Sequence, residues 1–98
     1  MQLIDAIPQG RENAVTRAEL LALTGLSDRG LRRELHDLRL SGELICSSTT
    51  PPGGFWRPDD EGELRAFLTS MTNRGKNTLA AASATRRALR DFEEANRA

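Results

Sequence analysis

The sequence predicts a mainly α-helical fold that carries a small β-hairpin and ends in a C-terminal helix or pair of helices. Three observations lead there. Apolar residues recur at helical spacing in three short stretches before residue 41, each bounded by turn-forming or capping residues. Two strand-like runs, Glu43 to Ser47 and Gly54 to Arg57, flank a loop of Ser, Thr, Pro and Gly. From Leu64 to Phe92, apolar and small residues repeat with alternating steps of four and three. At 98 residues the chain has room for one domain, with expected bounds 1–58, followed by a docking or dimerisation segment, 59–98.

Met1 to Ile7 reads as a first helix because Leu3, Ile4 and Ile7 share a face. Pro8 and Gly10 end it, and a polar connection, GRENAV, follows. Arg11 in that connection has either a solvated role or a DNA backbone to touch. Thr16 to Gly25 is the second helix. Its T-x-x-E start, Thr16 and Glu19, is a capping box, and Val15 with Leu20 forms a hydrophobic staple. Leu20, Leu21 and Leu23 supply its apolar surface. Thr24 to Ser27 then makes a tight turn in which Gly25 suits a positive φ and Leu26 fills the space between helices. A short helix, a glycine turn and a longer capped helix make up the helix-turn-helix arrangement.

The third helix, Ser27 to Leu40, is the stretch around which the domain is organised. Ser27 is its N-cap, Asp28 sits favourably at the positive end of the helix dipole, and Gly42 after Ser41 stops it. At about 100° per residue, Leu31, Leu35 and Leu38 cluster within about 60° and define a core face. Arg29, Arg33 and His36 fall on the far side, flanked by Arg32 and Arg39. That outer face is either an ordinary solvated one or a surface for a partner.

In the hairpin, Thr49, Thr50 and the Gly53-Gly54 backbone are placed to approach phosphates, with Arg57 at the base and Pro58 as the stop. Phe55 and Trp56 alternate across the strand, so one faces the core and the other outward or sideways, where base stacking is open to it. The other reading of the hairpin is a cover for the core edge. Asp59 or Asp60 caps the C-terminal segment, with acidic residues through Glu63 in its first turn. Its seam runs through Leu64, Leu68, Met71, Gly75, Thr78, Ala82, Thr85, Leu89 and Phe92. Small residues from Ala80 to Ala84 allow close helix approach, and a break near Arg74-Gly75 stays open, so one helix or two are both compatible. Leu68, Met71, Leu79, Ala82, Leu89 and Phe92 are the expected homodimer contacts. Arg86, Arg87 and Arg90 form a basic cluster, either solvated or a second phosphate patch.

Fourteen basic and fourteen acidic residues cancel, so affinity for an anionic partner must come from local placement of Arg. Lys76 is the single lysine. Cys46 is the single cysteine; it forms no internal disulfide and sits in an apolar run that suits a buried hydrophobe. With His36 as the single histidine, zinc spacing and a Cys-His nucleophile are excluded. No phosphate-binding G-x-x-x-x-G-K loop occurs, and the carboxylates form no isolated pair. The expectation is therefore a non-enzyme with no catalytic residue, metal, cofactor or small-molecule substrate. No basic segment followed by an apolar run opens the chain, and no stretch approaches the ~20 apolar residues of a membrane span. A cytoplasmic protein with no membrane partner is expected.

Three strings carry a family resemblance: TRAELLALTGLSDR into the third helix, LRRELHDLRLSG along it, and GGFWRP closing the hairpin. With the order of elements, they make residues 1–58 resemble winged helix-turn-helix DNA-binding domains of bacteria and their phages. The chain looks most like small phage or prophage proteins in which a winged helix precedes a helical tail. The resemblance implies that the third helix lies in a major groove of double-stranded DNA and that the hairpin is the wing. It implies Ser27, Arg29, Arg32, Arg33 and His36 as DNA contacts, Arg29 and Arg33 reading base edges. Arg39, Thr49, Thr50 and Arg57 would hold phosphates. A transcription regulator, or an accessory of phage replication or packaging, in a bacterial or phage-infected cell is the implied role. The alternative is a protein-interaction module, with the winged helix as scaffold and the C-terminal seam and Trp56 surface as binding faces. A structural oligomer built on the tail is a third reading.

Overall fold

The computed structural model describes residues 1–51 and 53–97. Its elements are α1 (Leu3–Ala6), a 3-10 turn (Arg11–Asn13), α2 (Arg17–Thr24), α3 (Asp28–Leu40), β1 (Cys46–Ser48), β2 (Gly54–Trp56) and α4 (Glu61–Arg97). The protein is thus mainly helical, with one two-stranded antiparallel hairpin and a long C-terminal helix. The chain divides into two compact units, one of Met1–Phe67 and one beginning at Leu68. No described helix is long and apolar enough to cross a membrane.

In the first unit, Leu3, Ala6, Ile7, Leu20, Leu31, Leu35 and Ile45 form the buried core. Ile4, Val15, Leu21, Leu26, Leu38 and Phe55 pack against it half-buried. Each fully buried Leu or Ile contributes about 1.5–3 kcal/mol relative to exposure. Leu20 and Leu31 are wholly enclosed in this core, and α1 packs against both α2 and α3.

The helix ends follow the expected chemistry. Thr16 and Glu19 form the capping box of α2, with Glu19 N donating to Thr16 Oγ1 at 3.1 Å. Gly25 closes α2 in the left-handed region at φ 72°. Ser27 Oγ caps α3 by accepting from Gly30 N at 3.0 Å. Arg17 Nε donates to Asp28 Oδ1 at 2.6 Å, an exposed link across the turn between the two helices. The end of α3 is a Schellman motif: Gly42 N donates to Arg39 O at 3.1 Å and Glu43 N to Leu38 O at 3.0 Å, with Gly42 at φ 102°.

Two boundaries and one pairing differ from the sequence-based expectation. α1 is a single turn, because Ile7 precedes Pro8 and takes an extended conformation at φ −95°, ψ 113°. β1 begins at Cys46 and not at Glu43, because residues through Glu43 are still closing α3 and the Ile45 carbonyl accepts from Arg39. The connection between α1 and α2 is a third pairing partner of the hairpin. Val15 and Phe55 exchange backbone hydrogen bonds of 3.0 and 2.8 Å, while Gly10 N donates to Arg57 O at 2.8 Å and Arg57 N to Pro8 O at 2.7 Å. β2 is therefore held on both edges: by β1 in the register Cys46–Trp56, Ser47–Phe55, Ser48–Gly54, and by residues around Val15.

α4 starts at an N-cap on Asp60, whose Oδ1 accepts from Glu63 N at 2.8 Å. The Glu63 carboxylate accepts from Asp59 N at 2.7 Å and from Arg11 N at 3.0 Å, so the opening turns of α4 belong to the first unit. α4 is continuous through Arg74-Gly75, which resolves the choice between one helix and two in favour of one.

Cys46 is fully buried in β1. Burial pushes its thiol pKa above the ordinary 9.0, the Glu63 carboxylate adds to the rise, and Arg39 opposes it. Two results follow. The folded protein is expected to resist alkylation by iodoacetamide at neutral pH and to react once unfolded. Because the folded thiol holds its proton after the unfolded one has lost it, this contribution to stability is complete below the ordinary value and is lost as pH rises beyond it. Urea midpoints for wild type should fall between pH 8 and pH 10 by more than those for Cys46→Ala.

Candidate nucleic-acid interface

α3 is clamped by its inner face. Leu31 and Leu35 are buried and Leu38 is half-buried, so the opposite face is turned to solvent whatever the surface chemistry. Arg29, Arg32, Arg33 and His36 are all exposed there. None of the four makes an ion pair or side-chain hydrogen bond among the described residues. Elsewhere in this unit the arginines are engaged, which sets this face apart.

The helix also has two unlike edges. Arg39 Nε donates to Ile45 O at 3.0 Å and its Nη2 to Ser47 Oγ at 3.3 Å, which identifies the edge facing the hairpin. Arg32, seven residues earlier, lies within about 20° of Arg39 around the axis. Glu34 and Leu38 line the other edge, beside a shallow depression also bordered by Met1, Leu3, Ile4, Thr24 and Leu26. By the same rotation Asp37 lies toward that edge, within about 60° of Glu34. From Arg29 onward the basic side chains thus run along the outer face and the hairpin side, with Glu34 and Asp37 toward the far edge; Asp28, on the hairpin side of the first turn, is paired with Arg17. A neutral chain carries a locally cationic strip by this segregation.

The expected contacts do not all stand alike. Ser27 is exposed, but its oxygen is already occupied as the cap of α3. Arg39 is turned inward: besides its bonds to Ile45 and Ser47, its guanidinium lies over the Phe67 ring at 5.1 Å. It joins the end of α3 to the hairpin and to the start of α4, a structural role beside the phosphate contact expected of it. Arg57 is similarly engaged, its Nη2 lying 3.4 Å from Glu43 Oε2. Thr49 and Thr50 are exposed at the hairpin tip. The Thr50 backbone is held on both sides, its amide donating to Ser48 Oγ at 3.0 Å and its carbonyl accepting from Arg11 Nη2 at 3.2 Å.

Trp56 corrects another expectation. It is only 3% exposed and packs inward, with Phe55 also against the core, so it offers neither a base-stacking platform nor a partner surface. The alternation across the strand left its direction open; burial against the α1–α2 connection decides it.

Arg11, expected to be solvated or to touch a DNA backbone, instead shapes the site from within the protein. Its guanidinium lies 5.2 Å from the Trp56 ring centroid and donates to Ser48 Oγ at 3.2 Å, in addition to Thr50 O. It braces the hairpin tip from beneath. The only signal was an arginine in a short polar connection; its partners lie 37 to 39 residues away, beyond the reach of local pattern.

Compared with known protein families, with curated proteins and with solved structures, the chain gives no match. The class it defines is therefore stated from its own geometry: a small mainly helical domain with a hairpin, an exposed basic helix face and a long exposed C-terminal helix.

Proposed function

We propose that this protein is a double-stranded-DNA-binding protein of winged helix-turn-helix type. In this reading α3 enters the major groove and the 47–54 wing, in which Arg11 binds Ser48 and Thr50, approaches the backbone. The supporting observation is the outer face of α3, where Arg29, Arg32, Arg33 and His36 are exposed together without intramolecular partners among the described residues. Arginine forks suit guanine edges and phosphates alike. A regulator or an accessory of phage replication or packaging, dimeric through α4 and acting in the cytoplasm of a bacterial or phage-infected cell, is the role that fits. The exposed apolar residues Leu68, Met71, Leu79, Leu89 and Phe92 of α4 favour the dimer.

The test is fluorescence anisotropy with random-sequence duplex DNA across a salt series. Log K should fall linearly with log[salt], with a slope near −0.9 for each phosphate neutralised. A preferred site can then be selected. Absence of binding at 20–50 mM salt would overturn this reading. It would favour the protein-interaction module, for which the zero net charge is the supporting observation.

A further inference from the structure

We infer that α4 pairs with α4 of a second copy as an antiparallel two-stranded coiled coil with Leu79 at its two-fold axis. This deepens the dimer part of the proposed function and adds the orientation and register that the dimer reading lacks.

The argument begins with the seam. From Leu68 to Phe92 the steps of four and three continue without interruption on one helix. Read in order, the positions are large, large, small, small, and then small, small, large, large: Leu68, Met71, Gly75, Thr78, Ala82, Thr85, Leu89 and Phe92. Such a near-palindrome matches itself when one strand is reversed. Leu68 then meets Phe92 of the second copy and Met71 meets its Leu89, while Gly75 and Thr78 meet Thr85 and Ala82. Large side chains fill the ends, and small ones let the backbones approach at the centre.

The two threonines support burial of this face. Thr78 Oγ1 donates to Arg74 O and Thr85 Oγ1 to Ala81 O, each at 2.9 Å. Their hydroxyl protons are already satisfied within the helix, so the seam can enter an apolar interface without stranding a donor. The large seam residues are 42–68% exposed within one chain, so nothing in the protomer covers them.

Orientation is decided by the flanks. In the reversed register Leu79 faces Leu79 of the second copy, and Arg65, which is also paired with Glu61 of its own helix, faces Glu93 of the second copy, twice per dimer. A parallel pair would bring together Phe67 with Thr72, Arg74 with Leu79, Ala81 with Arg86 and Ala88 with Glu93, and would match opposite charges only at Asp60 with Arg65, where Asp60 already serves as the N-cap of α4. Only the reversed arrangement uses Leu79, which is 70% exposed and lies beside the seam, as an apolar contact. Opposed helix dipoles add to the preference.

The experiment mixes two full-length variants, Leu68→Cys and Phe92→Cys, distinguished by a mass tag, under mild oxidation. Cys46 is buried and stays out of the exchange. A disulfide needs Cα atoms within about 7 Å, whereas reversed pairing puts the two copies of position 68 about 36 Å apart. The expected product is the mixed Leu68→Cys/Phe92→Cys disulfide, with little of either homodisulfide. Homodisulfides of each variant would establish a parallel dimer and overturn this inference while leaving the dimer standing. A monomer by sedimentation with no cross-link would overturn both, without bearing on DNA binding, which the salt series tests separately. As an independent arm, Glu93→Arg should weaken dimerisation about three- to fivefold and Arg65→Glu in the same chain should restore it. No recovery would remove the charge argument for orientation.

Discussion

Replacing Arg29 and Arg33 together by alanine is expected to lower affinity for a selected DNA site by roughly 30-fold or more while leaving the fold intact. The estimate takes about 1–3 kcal/mol for each arginine that reads a base edge, and about 1.4 kcal/mol for each tenfold. Both side chains are exposed and make no intramolecular bond among the described residues, so their removal takes nothing from the core. The thermal midpoint should move little, as for other surface substitutions away from special features. The single variants should also relax discrimination at separate base positions. A change at a phosphate contact would instead reduce affinity uniformly and lower the salt slope by about one. Glu34→Gln, on the opposite edge of α3, should leave affinity unchanged or raise it slightly. Equal binding by the double variant and wild type would show that α3 is not the reading helix.

The second large effect concerns stability. Gly54→Ala is expected to destabilise the domain by about 3 kcal/mol or more, from an unfavourable backbone region and a steric clash together. Gly54 opens β2 at φ 119°, and a Cβ there would stand 2.2 Å from the Val15 carbonyl oxygen. That oxygen cannot retreat freely, because it accepts from Phe55 N at 2.8 Å. Relief would have to break the pairing between β2 and the α1–α2 connection. Gly25→Ala is the control: its φ is 72° and nothing lies within 4 Å of the added carbon. It should cost only about 1 kcal/mol, the usual penalty for alanine in the left-handed region. Urea unfolding of the three proteins measures both. Similar midpoints for the two variants would mean that the Val15–Phe55 pairing is not a rigid part of the domain.

The two variants separate what local pattern can reveal from what it cannot. Gly25 was recognisable from its place between two capped helices, since a helix end needs a left-handed residue wherever the chain must turn sharply. Gly54 was recognisable only as the junction of the loop and the return strand. Its constraint comes from Val15, about forty residues away, which no spacing rule connects to it. The same division runs through the candidate interface. The exposed positions of Arg29, Arg32, Arg33 and His36 follow from three leucines on one helix, because 3.6-residue periodicity assigns both faces at once. The inward positions of Arg39 and Arg57 do not. Their partners, Ile45, Ser47, Phe67 and Glu43, come from the end of the same turn or from other elements.

What the sequence by itself determined is the local and periodic part of this protein. That part comprises the element order, the capping box at Thr16, the Ser27 cap, the outer face of α3 and the heptad seam of α4. Each depends on residues within one or two helical turns, where covalent connection already brings the groups together. Tertiary structure alone decided that Trp56 is buried, that Arg11 and Arg39 hold the hairpin, that β2 is paired on both edges, and that Glu63 ties the start of α4 to residue 11. These contacts join groups far apart in the chain. Which ones form depends on the packing of the whole core, since burial selects among many partners that local chemistry treats as equivalent.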